Sequence, residues 1–505
     1  MTGWSTSRRL LAAMLADGLV EGRLVGDELV VGPIRVGLRE GDLPVDPIRP
    51  CPHPGDLLGP IRIDGVETAD PIRVLRAAGL PYSRDVLAGL EEELRSSVAH
   101  AALAGAYRRP PPETTAGAMA WEQAIVEGHP THPCHRTRLG LTVDQGRAWA
   151  PEAAAEPMAL AFCFVERDRL QIHGPFEALL AGWAPAAPPG RVALPVHPCG
   201  VAAVGERFEV VWSDHGALAH AQTSLRTVCP AGLDHHLKLP MAVRTTSALR
   251  TISPYAVHNG PRLSALLTAI APGTLRVVAE RASAGAVHDD PHVARYLSAI
   301  VREDPERRWP DDDFVVAAGL TEADARGRSH VSRLAGSDPV RWLERYVEVL
   351  LGAVVPPMRD HGVAVEAHGQ NTLVVWQGGR PSAIAIRDFG GMRVHRPTLR
   401  ASGHDVALMP GSAPDAATLE EVWAKVHHCV IQVHLREVIR GLQLGLDGWR
   451  CVRGQVDQLL ADHPAHAAWT GTSVAHKCLL RMRLEGRYRD YIVNEGPNPL
   501  ACVDG

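Results

Sequence analysis

The segment that most constrains this fold is a pair of apolar, β-rich arms around a double glycine. Thr372-Leu373-Val374-Val375-Trp376 leads into Gln377-Gly378-Gly379, and Ala383-Ile384-Ala385-Ile386 returns. Arms of this kind joined by Gly-Gly predict a β-hairpin, because the tight connection needs positive φ and glycine adopts it freely. A hairpin brings its two ends together. One end carries Glu366-Ala367-His368-Gly369-Gln370-Asn371; Arg387-Asp388-Phe389-Gly390-Gly391 begins sixteen residues after it. Glu366, His368 and Asn371 are therefore expected near Asp388.

Carboxylate and amide oxygens in one place suit Mg²⁺, a hard cation that shares its shell with nucleotide phosphates. The arrangement is similar to the kinase catalytic loop and its Asp-Phe-Gly, with one absence. A kinase has an Asp two residues after the His to accept a hydroxyl proton, and Gln370 stands at that place. The expectation is an ATP–Mg²⁺ site without a phosphotransfer base.

The chain has 505 residues, enough for two to four domains. Its 46% hydrophobic and 22% charged content is that of a globular protein, and a formal charge of −5 gives no general attraction to nucleic acid or anionic membrane. Nine scattered cysteines without a Cys-x-x-Cys pair suit reduced thiols rather than a disulfide framework. No signal-peptide pattern and no membrane-spanning apolar run is visible, so the expected location is cytoplasmic.

Along the chain, residues 1–24 predict a short amphipathic helix. Pro-Ile-Arg then recurs at 33–35, 47–49, 60–62 and 71–73, read as proline at strand starts. Residues 84–107 predict a helix, and Asp338-Pro339 opens another. A long helix is expected from about Thr418 to Leu444 with its stop at Gly445. His476 to Arg483 is expected on a helix, followed by a loop around Asn494–Leu500. Boundaries are placed near 118 and, after a charged stretch at 285–330, near 330.

Two further segments carry chemistry. Gly128-His129-Pro130-Thr131-His132-Pro133-Cys134-His135-Arg136-Thr137-Arg138-Leu139-Gly140 holds three His and a Cys within seven residues. Its two prolines stiffen it and no second ligand pair matches, which favours a loop facing an anion over zinc. Alternating short strands are expected to put Arg226, Lys238 and Arg250 on one sheet face among Thr223, Ser224, Thr245 and Thr246. One such cation is ordinarily a solvated surface charge; interleaved with hydroxyls they predict an anion site. Together with the Mg²⁺–nucleotide end they suggest an enzyme that joins an acid to ATP. An ionised carboxylate needs no base, and its product would be an acyl-adenylate or acyl-phosphate open to an amine or alcohol.

In this order the motifs resemble the IucA/IucC family of NRPS-independent siderophore synthetases: Gly128-His-Pro-x-His-Pro-x-x-Arg-x-Arg-x-Gly140, Thr223-Ser-x-Arg-Thr227, Lys238-Leu-x5-Thr-Thr-Ser-x-x-Arg250, Glu366-x-His-x-Gln-Asn371, Arg387-Asp388, Lys477 and Asn498-Pro499. The resemblance implies an α+β cradle of thumb (1–118), fingers (119–330) and palm (331–505), often a homodimer. It implies adenylation of citrate or a related polycarboxylic acid, then condensation with an amine or alcohol. By matching position, Ser224, Arg226, Thr227, Lys238 and Gln370, with Arg136, Arg138 and His132, would hold ATP. Thr246, Arg250, His368 and Lys477 would hold the acid; Glu366, Asn371 and Asp388 would hold Mg²⁺. His368, Arg250 and Lys238 would act in catalysis. Arg136 replaces a usual Lys, and Cys199-Gly200 replaces a usual Trp-Gln, which bears on substrate fit. A small-molecule kinase and a non-catalytic protein of the same fold are the competing readings.

Overall fold

A computed structural model describes residues 2–39, 52–246, 248–324, 326–487 and 492–503. The first helix, Thr2–Ala16, lays Leu10, Leu11 and Met14 on an antiparallel five-stranded sheet whose strands follow in sequence order from Arg23–Val25 to Val66–Thr68. The helix Arg84–Ala106, capped by the Ser83 side chain on the Val86 amide, adds Leu90 and Leu94 to the same core.

The Pro-Ile-Arg segments do not share one role. Pro33 precedes the strand Ile34–Leu38, Pro60 lies within Leu57–Ile63 beside an irregularity in the register, and Pro71 is the first residue of a helix. There the Asp70 carboxylate accepts from the Ile72 amide at 2.9 Å, so an N-cap replaces the expected strand start. The copy at 47–49 lies outside the described residues.

A nine-stranded antiparallel sheet forms the middle of the molecule. At its centre Thr227–Pro230 pairs with His235–Lys238, which pairs with Ser298–Glu303 and through it with Glu280–Ala286. Helix Pro254–Ile270 crosses this sheet, its Val257 against Gly285 and Ile300. The hairpin forms as expected, Thr372–Gln377 with Arg380–Ile386. Its outer edges are paired by Leu275–Val277, in parallel, and by Asp313–Val316. The stretch 285–330 is thus not a charged connector. It supplies Ser298–Glu303 to one sheet and Asp313–Val316 to the other, the latter hidden in the sequence by the preceding Asp run.

Helix Pro339–His361 begins on Asp338, whose side chain accepts from the Arg341 amide, and ends at left-handed Gly362. Its Trp342, Tyr346, Leu350 and Val354 face the largest core, beneath the hairpin. The helix expected from Thr418 runs as Leu419–Val426, a π-helical stretch His427–Leu435, and Arg436–Leu442. It stops at left-handed Gln443 rather than Gly445, which opens the next helix, Gly445–Leu460. His476 and Lys477 are on a strand, not a helix: Ser473–Lys477 pairs with Val493–Pro497, and the helix starts only at Leu479. Leu480 and Leu484 from that helix enter the N-terminal core. No described helix is long and apolar enough to cross a membrane.

Candidate active site

The hairpin's open end sets the geometry. Thr372 pairs with Ile386, and the Arg387 amide donates to the Asn371 carbonyl at 3.1 Å. Asp388 then turns the chain with a left-handed φ of 69°. Among the described residues, five that are not glycine have positive φ, and Leu225 (62°), Thr246 (56°) and Asp388 all lie in the predicted motifs. Each such turn costs on the order of 1 kcal/mol or more, so tertiary contacts must hold it.

The contacts at Asp388 are ionic. Lys238 Nζ donates to Asp388 Oδ1 at 2.7 Å and lies 3.5 Å from Glu280 Oε1. Arg302 Nη2 is 3.3 Å from Glu280 and 3.7 Å from Asp388 Oδ2. Burial pushes the Asp388 carboxyl up, but Lys238, Arg302 and Arg226 outweigh it and hold the group well below the usual carboxylate range. The adjacent strands His235–Lys238 and Ser298–Glu303 place Lys238 and Arg302 together.

Arg226 and Arg250 complete the cationic side, from the turn before Thr227–Pro230 and the residue after Ala248–Leu249 rather than from the strands expected to carry them. Arg226 Nη1 donates to the Thr251 carbonyl at 2.9 Å, and Arg250 bonds Thr245 Oγ1 and Thr246 Oγ1. Neither has a carboxylate within ion-pair distance among the described residues. Arg250 is pushed down to about 10, first by burial and then by the charge of Arg226. Two half-buried guanidinium groups repelling each other call for an anion between them. The Ser224 hydroxyl accepts from the Thr227 amide at 3.2 Å, holding the turn from which Arg226 projects.

Glu366 faces the same space. Lys425 pairs with it, and although burial raises its carboxyl, Lys425 and then His368 bring it down to about 2. Asp388 acts on it in the opposite sense, which sets the two carboxylates near each other. A Cβ at Gly391 would fall on the Glu366 carboxylate, so only glycine leaves room for it. Asn371 Nδ2 donates to the Glu366 carbonyl at 3.3 Å, which leaves the amide oxygen to offer a cation. These hard oxygens, the amide of Asn371 with the ionised carboxylates of Glu366 and Asp388, fit a Mg²⁺ that keeps part of its shell for phosphate. No set of three or more His, Cys, Asp or Glu among the described residues is arranged to hold a metal by itself.

His368 lies on a loop that is tied down from behind. His434 Nδ1 donates to the Ala367 carbonyl at 2.8 Å, and its Nε2 accepts from the Tyr346 hydroxyl at 2.6 Å. Burial lowers the His368 pKa, with Glu366 pulling the other way. Gln370 contributes its carbonyl to Arg387, whose Nη1 also bonds Gln222 and the buried Glu122. Glu122 accepts from the Thr223 amide at 2.8 Å. Arg387 thus ties the hairpin to the turn at 222–227 rather than facing the ligand space.

The loop 128–140 divides into two parts. Arg136 donates to the carbonyls of Ile125, Val126 and Glu127, and Arg136 and Arg138 both pair with Glu152, which is fully buried. These guanidinium groups brace the loop and are not in the cation cluster. His132 is near it: its pKa is lowered well below 6.5 by burial, then by His129 and Arg250. Lys477, on the C-terminal hairpin, also acts on His129 and His132. Ser247 lies outside the described residues. Cys199 packs beneath Leu225 with Met241 and Val243.

Sequence reasoning missed Arg302, Glu280, Glu122 and Lys425. The first two lie in strands hidden by neighbouring charge or by Ala and Gly, and nothing local marks the others.

Residues 117–322 match the IucA / IucC family, and residues 340–492 match a family described as ferric iron reductase FhuF-like transporter. The NRPS-independent siderophore synthetase rfs of Rhizopus delemar is 30% identical over 453 residues, 81% of this chain and 70% of that protein. An L-2,3-diaminopropanoate–citrate ligase of Staphylococcus aureus is 22% identical over 63% of this chain and 61% of its own length. The crystal structure of the petrobactin biosynthesis protein AsbB from Bacillus anthracis superposes with a TM-score of 0.84 at 18% identity, covering 99% of this chain and 95% of that one. With a relative 30% identical and matched over most of both chains, the protein belongs to the IucA/IucC family of NRPS-independent siderophore synthetases.

Proposed function

We propose that the protein is an ATP-dependent ligase that adenylates one carboxylate of citrate or a related polycarboxylic acid and condenses it with an amine or alcohol. The observation that carries this reading is the pair Arg226 and Arg250, half-buried beside the Lys238–Asp388 ion pair with no carboxylate at ion-pair distance among the described residues. Arg226, Lys238, Ser224 and Thr227 would hold the triphosphate. Arg250, Thr246, His368 and Lys477 would hold the acid. Glu366, Asn371 and Asp388 would hold Mg²⁺, which when bound neutralises phosphate charge.

A carboxylate oxygen attacks the α-phosphorus, the bond to the bridging oxygen breaks, and pyrophosphate leaves with the electron pair. No proton has to be removed, which agrees with Gln370 in the place of a base. Arg226 and Arg250 offset the repulsion between carboxylate and polyphosphate, about 4 kcal/mol for unit charges ~4 Å apart at an effective dielectric near 20. Citrate is favoured because the S. aureus relative is named a citrate ligase. A thumb at 1–118, followed by fingers and palm that share the hairpin sheet across the boundary expected at 330, a homodimer and a cytoplasmic location complete the proposal.

The test is product analysis with citrate, ATP, Mg²⁺ and hydroxylamine. Hydroxamate together with AMP and pyrophosphate is expected. ADP with a phosphorylated acid would make the protein a kinase, and no nucleotide turnover would make it a binding protein.

A further inference from the structure

Arg226 and Arg250 are joined by a third guanidinium that no motif contains. Arg295 follows the short helix Pro291–Ala294 and precedes the strand Ser298–Glu303, the neighbour of the strand that carries Lys238. Its carbonyl accepts from the Ile252 amide at 3.1 Å, which sets it against the segment leaving Arg250. The Arg295 side chain is half-buried and makes no hydrogen bond or ion pair among the described residues, and its Nε is shut off from solvent.

The charges felt by its neighbours place Arg295 along the site. Burial lowers the Arg226 pKa; Asp388 and Glu280 pull it up, while Arg302 and Arg295 lower it further. Besides burial, the charges that act on Arg250 are those of Arg226, Asp388 and Glu366, without Arg295. The three guanidinium groups therefore stand in the order Arg250, Arg226, Arg295, with Glu366 at the Arg250 end.

Thr251 stands where Arg226 and Arg295 meet. Its carbonyl accepts from Arg226 Nη1 at 2.9 Å, and the next amide, of Ile252, is the one bonded to Arg295. The Thr251 hydroxyl has no partner among the described residues, although the residue is only 4% exposed. A buried hydroxyl left alone is costly, so a ligand oxygen that completes it is favoured. Helix Pro254–Ile270 begins just beyond, capped by the Ser253 side chain on the Ala256 amide, and adds the positive end of a 17-residue dipole. Two mutually repelling cations, an orphan hydroxyl and a helix N-terminus together suit a phosphate group.

We infer that Arg295 and Thr251 receive the terminal phosphate of ATP and so hold the pyrophosphate that leaves. This rests on the adenylation reading, which fixes the polarity. The α-phosphorus has to lie where the acid reaches it, at the Arg250 and His368 end, and the phosphates then run past Arg226 to Arg295. As the carboxylate oxygen bonds to the α-phosphorus, the bond from that phosphorus to the bridging oxygen breaks and its electron pair leaves on pyrophosphate. Charge builds at the far end, where no carboxylate competes for the Arg295 guanidinium.

The test is titration calorimetry of the full chain with ATP, pyrophosphate and AMP, each with Mg²⁺. Arg295→Gln is expected to weaken ATP and pyrophosphate about ten- to thirtyfold and to leave AMP within about twofold. Arg295→Lys, which keeps the charge, should recover part of the loss. Thr251→Val removes only the hydroxyl; it should weaken ATP about three- to fivefold with no fall in Tm, and it decides the matter if Arg295→Gln does not fold. Unchanged ATP affinity in either variant, or an equal loss for AMP in Arg295→Gln, overturns the inference. The nucleotide products of wild type are read separately. AMP with pyrophosphate leaves the adenylation reading standing whatever Arg295 does, whereas ADP removes that reading and this inference with it.

Discussion

Asp388 is where the charges of the site converge, since Lys238, Arg302 and Arg226 all act on it. Replacing Asp388 by Asn keeps the volume and removes the common anion. Carboxylate-dependent pyrophosphate release is expected to fall about 10²- to 10³-fold, the loss typical of removing one group from a preorganised charge site. Near-wild-type release from a folded Asp388→Asn protein would take Asp388 out of the site. The imidazoles give a second prediction. His129 is lowered to about 3 by burial first and the charge of His368 next, and His132, His135 and His428 are also held well below 6.5. Folded, they stay neutral while the unfolded chain takes up protons below about pH 6.5. Their contribution to stability is therefore complete above that pH and is lost as pH falls toward 3. Each contributes a slope of up to about 1.4 kcal/mol per pH unit. Calorimetry should show a lower Tm at pH 5 than at pH 7; an unchanged Tm would contradict the buried neutral state.

At the scale of elements, the hairpin and its glycines can be tested in pairs. Gly391→Ala drives a Cβ onto the Glu366 carboxylate and should weaken Mg²⁺-ATP binding at least about tenfold by titration calorimetry. Gly378, at φ 57° in the turn, has open space where a Cβ would stand, so Gly378→Ala should cost only about 1 kcal/mol of stability. His434→Leu strands the Tyr346 hydroxyl and the Ala367 carbonyl and should cost about 2–4 kcal/mol in denaturant unfolding. The hairpin and the helix from Pro339 were legible because apolar period, turn glycines and the Asp-Pro cap all agree. Ser473–Lys477 was not, since a strand of half-buried residues has no apolar face to announce it. Nor was the π-helical stretch, whose extra residue per turn leaves no mark in the order of apolar positions. Arg136 and Arg138 looked like ligand cations because their partner, Glu152, lies outside the motif and is adjacent only in the fold.

Across the whole molecule, the site is assembled from every region of the chain. Lys238 comes from the nine-stranded sheet and Arg226 from a turn between two of its strands, Asp388 and Glu366 from the hairpin ends, and Lys477 from a strand whose following helix packs in the N-terminal core. The boundary expected near 330 cuts through this arrangement, because Leu275–Val277 and Asp313–Val316 flank the hairpin across it. Pairing between segments so far apart cannot be read from local pattern. The central claim is that a carboxylate oxygen attacks the α-phosphorus in this shared space, and oxygen tracing tests it most directly. Turnover of ¹⁸O-carboxylate-labelled citrate with ATP, Mg²⁺ and an amine should deliver one labelled oxygen into AMP, read by mass spectrometry. Label in inorganic phosphate, or in neither nucleotide nor phosphate, would contradict it.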